Sequence, residues 1–242
     1  MTPQSCLVIV VLVAISFLPV AFSPAGALSS VNIFPPNSTP YGLTYAEHAK
    51  NFWKWSLAMS ANNNPDNDPT GSKCANGQKN ASSPVFYLAG SGGGAVFRTC
   101  EVPAGKGLLI PVMVGEASEK ELPNTSEKQL SDNVRQDQDS VVSMYLKIGD
   151  KEYNFQDLNK YRTHTDAFDV TFPSNISKSD QRMFGVLTGG STKAVADGRY
   201  IITEPLARGT YLIHFKSTLI CSRPDCPDPN FSQDVTYKII AK

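Results

Sequence analysis

Apolar and polar positions fall into three regimes along the chain. Cys6–Phe22 is an apolar run without a charge, interrupted by Ser16 and Pro19. Within Tyr41–Ser60, the residues Ala46, Ala49, Phe52, Trp53 and Leu57 recur at three- and four-residue intervals, which predicts a helix with one apolar face. Thr44 is placed to cap it, and Glu47 three residues on completes a capping box. The polar, proline-interrupted stretch Ala61–Gly71 ends the helix. Beyond it the period becomes two. Val85–Ala89 and Ala95–Thr99 read as strands of a hairpin around Gly90–Gly94. Gly107–Val114 is apolar enough to be buried on both sides, with Pro111 marking an edge or a bulge. Ser118–Asp139 reads as an exposed excursion containing a short helix. Ser140–Ile148 and Lys151–Phe155 form a second predicted hairpin, followed by strands at Ala167–Phe172, Arg199–Glu204, Thr210–Leu219 and Asp234–Ala241. Leu187–Lys193 is a loop by composition. The expected fold is mainly β: an antiparallel β-sandwich, jelly-roll or Ig-like, with one N-terminal helix packed against it. The expected organisation is a signal peptide over 1–27, a linker over 28–40, and a single β-sandwich domain over 41–242 with its helix at 41–60.

The first regime is a leader. Small residues at Ala25 and Ala27 supply the A-x-A pattern of a cleavage site, although Met1–Ser5 carries no basic side chain. An uncleaved membrane anchor is the competing reading, because the run is at the short limit for spanning a bilayer. Removing the leader takes Cys6 with it and leaves Cys74, Cys100, Cys221 and Cys226. Of the three ways to pair four cysteines, the sequential one is favoured, since Cys221 and Cys226 bracket a turn. A four-cysteine zinc site would need repeated C-x-x-C knuckles, which are absent from the sequence. Glycosylation sequons stand at Asn37, Asn80, Asn124, Asn175 and Asn230, compatible with a glycosylated exterior.

Charge excludes one class of partner. The 22 basic and 22 acidic residues give a net charge of zero and are spread along the chain, so no basic run exists to neutralise phosphates. Gly90–Gly94 lacks the Lys and the following helix of a phosphate loop. The histidines His48, His164 and His214, with Glu116 as a carboxylate companion, are the candidate metal ligands. They lack the close pair typical of catalytic zinc. Asp66-Asn67-Asp68 offers oxygens of the kind calcium prefers but no EF-hand loop. No cofactor is expected, with Ca or Zn as the minority alternatives. No G-x-S-x-G elbow is present and no catalytic residue is assigned. Glu116, Glu119 and Glu121 near Asp132, Asp137 and Asp139 could supply a carboxylate pair for glycoside hydrolysis, but in so charged an excursion they read as solvated. Trp53 and Trp55 lie about 200° apart around the helix, so one faces away from the other. Trp53 shares the stripe with Phe52 and is expected in the core; Trp55 becomes the candidate for stacking on a ligand.

One set of residues carries a resemblance. Gly42-Leu43-Thr44-Tyr45 with Trp53 and Trp55, Asp68-Pro69-Thr70-Gly71 with Cys74 and Gly77-Gln78, Pro84–Gly90, and Arg98-Thr99-Cys100 with Val102–Lys106 open the pattern. Ala196-Asp197-Gly198, Pro205-Leu206, Ile213-His214-Phe215 and Asp234–Tyr237 extend it to the far end. Together they resemble a family of exported bacterial and archaeal proteins without an assigned activity. Glu116-Ala117-Ser118 departs from that family's Glu-Cys-Ser, which removes any extra bridge there. The resemblance implies export and one all-β-dominated unit, and no mechanism. The reading ranked first is a secreted or cell-surface protein with a non-catalytic binding or structural role. Its partner would be an extracellular ligand, a glycan or a cell-envelope component, with no nucleic acid. An extracellular hydrolase using carboxylates or a histidine-bound metal is the alternative. A membrane-anchored accessory subunit follows if the leader stays uncut.

Overall fold

The computed structural model describes residues 28–78, 83–221 and 230–242. The leader, Asn80 and Cys226 lie outside these residues. The described chain is mainly β, with two mixed sheets and four helices, and is not a closed barrel. In chain order the strands are β1 (Val85–Tyr87), β2 (Gly94–Val102), β3 (Gly107–Ser118), β4 (Val141–Ile148), β5 (Lys151–Tyr153), β6 (Arg162–His164), β7 (Phe168–Phe172), β8 (Gly190–Ile202), β9 (Gly209–Ile220) and β10 (Asn230–Ala241). The helices are α1 (Tyr45–Leu57), α2 (Glu127–Asp139), α3 (Phe155–Asn159) and α4 (Lys178–Phe184). One sheet has the order β1-β3-β8-β6, with β7 also paired to β8; the other runs β2-β10-β9-β4-β5. Leu108, Ile110, Tyr200 and Ile202 of the first sheet join Phe215, Val235, Tyr237 and Ile239 of the second in one apolar cluster.

The second predicted hairpin forms as β4 and β5. The first does not. β1 pairs in parallel with β3, and β2 pairs in parallel with β10. The segment Gly90–Gly93 therefore leads from one sheet to the other, and the expected wholly antiparallel pairing gives way to mixed sheets. Gly90 is held close: a Cβ there would lie 2.8 Å from Gln233 Oε1. The apolar run of β3 is buried throughout Gly107–Met113, as its composition demands. It is an interior strand, and the register shifts between Pro111 and Met113, so the proline sits at an irregularity. Opposite this point Gly198 is required, because a Cβ would come within 2.5 Å of Val114 Cα. The predicted loop Leu187–Lys193 instead contributes its second half to β8, which begins at Gly190. The segment 28–40 is packed rather than free: Phe34 N–H donates to Ile202 O at 2.8 Å, Ile33 bridges Thr203, and Val31 is buried.

Helix α1 starts at the predicted capping box, with Thr44 N–H donating to Glu47 Oε2 at 2.7 Å and Glu47 N–H to Thr44 Oγ1 at 3.2 Å. Its buried residues are Tyr45, His48, Ala49, Phe52, Trp55, Ser56 and Leu57: Ala49, Phe52 and Leu57 of the predicted stripe are buried, while Ala46 and Trp53 are only partly so. Trp55 is therefore a core residue, 5 % exposed, and not a stacking platform. Its indole N–H donates to Asn76 O at 3.0 Å, and its ring lies 5.4 Å from that of Tyr87. The reversal has a physical cause: α1 is covered on more than one side. Phe52 and Trp55 meet Tyr87 of β1, while Leu57 packs with Phe168 and Phe172 of β7. A stripe read from one apolar face misassigns the two tryptophans.

Cys74 and Cys100 form a disulfide with a Cα–Cα distance of 6.0 Å, tying the segment after α1 to β2. Closing that loop restricts the unfolded chain by about 3 kcal/mol. Cys221 is disulfide-bonded as well. Two residues before Cys100, Arg98 is 1 % exposed. Its guanidinium donates to the carbonyls of Asp66 (3.0 Å), Asp68 (2.5 Å), Ala89 (3.1 Å) and Gly90 (2.5 Å) and to Tyr237 Oη (2.7 Å). Tyr237 Oη in turn donates to Ala89 O at 3.0 Å. This single side chain joins the loop after α1, the exit of β1, and β10.

Replacing Arg98 with Met keeps the length and leaves the carbonyls of Asp66, Asp68 and Gly90 without its donors; the expected cost is about 3–5 kcal/mol, measured by urea unfolding. Tyr237→Phe removes one node of the same network and should cost about 1–2 kcal/mol. Equal, near-zero effects would contradict the role assigned to Arg98.

Candidate functional site: a carboxylate cleft

The far end of β3 carries the chemistry. Past the irregularity at Pro111, Gly115 abuts α2: a Cβ there would lie 3.1 Å from Gln138 Nε2. Ala117 is buried with Leu130 and Val134 of the same helix. Alternation sends Val114 and Glu116 to the other side of the sheet. There Glu116 meets a cavity of about 420 Å³ that Trp53 and Leu57 of α1, Asp66, Glu121 and Phe184 also line. A smaller cavity of about 130 Å³ shares Trp53, Asp66 and Ser91 with it and reaches Val114 and Gln233.

Glu121 comes back to the cleft through a tight turn. Leu122 N–H donates to Ser118 O at 3.0 Å, and the Ser118 hydroxyl, fully buried, donates to Glu121 Oε2 at 2.6 Å. Glu116 Oε2 is buried with no hydrogen-bond partner. Both glutamates touch the cleft surface, yet protein encloses them on their other sides. Burial, then the charge of Glu121 and the hydrogen bond to its carboxyl, push Glu116 well above the usual carboxylate range. Burial also raises Glu121, against hydrogen bonds from Glu116 and Ser118 that lower it. Two facing carboxyl groups cannot both ionise without strong repulsion, so the arrangement favours one proton held by the pair. Asp66 is raised too: burial outweighs the nearby Arg98 guanidinium and a hydrogen bond from the Gly90 backbone. The cleft thus presents three carboxyl groups whose ionised forms are all disfavoured by enclosure.

Trp53, expected in the core, packs against its edge and also lines the cleft. It is half-buried, and its indole N–H donates to Tyr200 Oη at 2.8 Å, which fixes the ring at the cleft wall. The candidate metal ligands do not gather. His48 is buried and bonds Pro40 O at 2.8 Å; His214 bonds Asp234 Oδ1 at 2.7 Å on a strand face; His164 bonds Ser131 Oγ at 3.1 Å; Glu116 pairs with Glu121. Among the described residues no group of three or more His, Cys, Asp or Glu side chains is arranged to hold a metal ion. Asp68 is spent on its own loop. Burial works to raise it, but hydrogen bonds from Lys73, Thr70 and Gly71 prevail and hold it at about 2.

Ser131, His164 and Asp197 superficially suggest a nucleophilic triad, but the relay is broken. His164 Nδ1 lies 3.8 Å from Asp197 Oδ2 and has no hydrogen-bond partner. Both Asp197 oxygens accept from Arg162 instead, at 2.9–3.2 Å. Of the sequon asparagines, Asn37, Asn124, Asn175 and Asn230 are exposed.

The pair could have been suspected from Ser118-x-x-Glu121, the spacing at which a serine hydroxyl and a glutamate carboxyl close on each other. Nothing in the sequence says that the turn folds inward.

Because folding raises the Glu116 value, the contribution of this group to stability is intact at acid pH and declines as pH rises from the unfolded carboxylate range through the folded value. Glu116→Gln keeps the shape and removes the titration. The variant should melt higher than the parent at about pH 8, by roughly 2–4 °C for each kcal/mol relieved, and the gap should close towards about pH 4. Thermal scans across that range check it; a pH-independent difference would contradict it.

No family model, curated protein or solved structure matches the chain.

Proposed function

We propose that this chain is an exported extracellular or cell-surface protein whose task is to bind a ligand in the carboxylate cleft, without turning it over. The observation that carries the reading is the Glu116–Glu121 pair, enclosed, deficient in donors and facing a cavity beside Trp53. Enclosed carboxyl pairs with perturbed affinity for protons are costly to keep and cluster at sites that do something. The leader, the cystines and the resemblance to exported proteins support the compartment. The volume suits a monosaccharide-sized ligand, or one side chain or terminal unit of a larger partner such as a glycan or an envelope component.

Binding is favoured over hydrolysis by the geometry of the pair. Carboxyl groups that cleave a glycosidic bond stand about 5–9.5 Å apart on either side of it. Glu116 and Glu121 are in contact and act as one acid. A hydrolase remains the second reading because Asp66 borders the same cavity, which would make Glu116 the acid and Asp66 the base. An accessory subunit held at a membrane is the third; among the described residues no helix is long and apolar enough to cross one.

Glycan-array and small-molecule thermal-shift screens on the purified protein should yield ligands that lose affinity about tenfold in Trp53→Leu, which removes the stacking surface. Glu121→Gln should weaken them as well. Ligands that bind both variants as well as the parent would contradict the assignment of the cleft. Turnover that disappears in Glu116→Gln and in Asp66→Asn would replace it with the hydrolase reading.

A further inference from the structure

We propose that the occupant of this cleft presents a primary ammonium group on an apolar or aromatic body, and that the ammonium seats against the facing carboxyl groups of Glu116 and Glu121. The inference rests on reading the cleft as a ligand site and names the class of ligand.

The inventory of donors and acceptors carries the argument. Glu116 Oε2 is enclosed without a donor, and its carboxyl faces another carboxyl. The Ser118 hydroxyl is already committed to Glu121 Oε2 at 2.6 Å. The indole N–H of Trp53 is committed to Tyr200 Oη at 2.8 Å, so Trp53 has only its ring surface to offer a ligand. Asn67 Nδ2 is directed to Ala61 O at 3.1 Å. Asp66 adds a third carboxyl to the same wall. An ammonium brings three donors and no acceptor, which complements such a site. An anion would meet three carboxyl groups against the single guanidinium of Arg182. A neutral hydroxyl would replace the shared proton with a weaker donor.

The rest of the wall is mixed: Ser56, Asn67, Ser91 and Arg182 line it beside an apolar flank. Trp53, Leu57 and Phe184 line the cavity, and a cation drawn up against an indole face gains attraction beyond what its burial gives. A divalent cation fits less well. Calcium takes six to eight oxygen ligands, and no group of three or more suitable side chains is arranged for a metal among the described residues.

Charge and protons balance in the exchange. The empty pair carries one proton and one negative charge. An incoming R–NH3⁺ finds two carboxylates, and the displaced proton leaves to the buffer. Affinity for the amine therefore rises with pH while the pair is still protonated, and levels off once it is not. The other groups that bear on this titration are Ser118 in the same turn, Tyr200 of β8, Asp66 beyond α1 with Arg98 behind it, and Arg182 of α4 at the rim. Arg182 hydrogen-bonds Ser179 Oγ at 3.4 Å on its own helix.

Benzylammonium, with benzyl alcohol as its neutral counterpart and calcium chloride as a separate arm, is titrated calorimetrically into the full chain. Buffers of low and high ionisation enthalpy count the protons exchanged. Benzylammonium should bind at least about tenfold more tightly than the alcohol, release about one proton, and gain affinity between about pH 5 and pH 8. Glu116→Gln and Glu121→Gln, each checked for a native melt, should both abolish the proton release and the preference for the amine. Equal binding of amine and alcohol, or amine binding without proton release, would overturn the ammonium while leaving a ligand cleft in place. Calcium binding with proton release, or no binding of benzylammonium, would overturn it as well. A cleft that also fails every ligand in the wider screen refutes the binding reading itself.

Discussion

One buried cation holds the architecture together. Arg98 enters the interior with no carboxylate within ion-pair distance among the described residues, and backbone carbonyls from two separate stretches replace its water. Carbonyl dipoles and the hydroxyl of Tyr237 take up the guanidinium's donors, and the Asp66 carboxyl adds a longer-range attraction. Because those carbonyls belong to Asp66, Asp68, Ala89 and Gly90, satisfying Arg98 also fixes two loops against β10. The cystine between Cys74 and Cys100 pins one of those loops to β2 from the other side. The parallel pairing of β2 with β10 becomes intelligible in this light: β2 is carried to the second sheet together with the side chain that both loops need.

The cleft is what this clamp leaves between the loops and the end of β3. The Asp66 carboxyl is at its edge because the Asp66 carbonyl is bound to Arg98. Trp53 stands opposite because α1 is packed on two sides, with its indole bonded to Tyr200. Glu116 is delivered by strand alternation past the irregular register at Pro111, and Glu121 by the serine-closed turn. Each of these is a rigid placement on a sheet, a helix or a tight turn. A frame that rigid can hold acidic groups closer together than solvated side chains would settle, and a shared proton is what it costs.

Local physics was legible in the residues; long-range pairing was not. The capping box at Thr44 and Glu47, the β4–β5 hairpin, the alternation of β10 and the doubly buried run of β3 each depend on near neighbours, and each is found. The Cys74–Cys100 bridge followed from sequential pairing. Val85–Ala89 and Ala95–Thr99 looked like a hairpin because they are close in sequence and glycine lies between them. Their true partners, β3 and β10, are chosen by Arg98 and by the core. Trp55 is buried and Trp53 only partly so because a helix covered on two sides has no single buried stripe. Glu116 and Glu121 read as solvated because charge density in a sequence resembles a wet surface. Only the fold shows that one turn of that excursion faces inward. The histidines do not gather, because His48, His164 and His214 sit in separate places beside Pro40, Ser131 and Asp234.

The central claim is that Glu116 and Glu121 share a proton in the folded protein at neutral pH. Carbon-detected NMR of the side-chain carboxyl carbons, with glutamate isotopically labelled, reports this directly. One glutamate resonance should keep the protonated-acid shift at neutral pH, titrate well above the others, and vanish in Glu116→Gln. A spectrum in which every glutamate titrates in the ordinary carboxylate range would contradict the account.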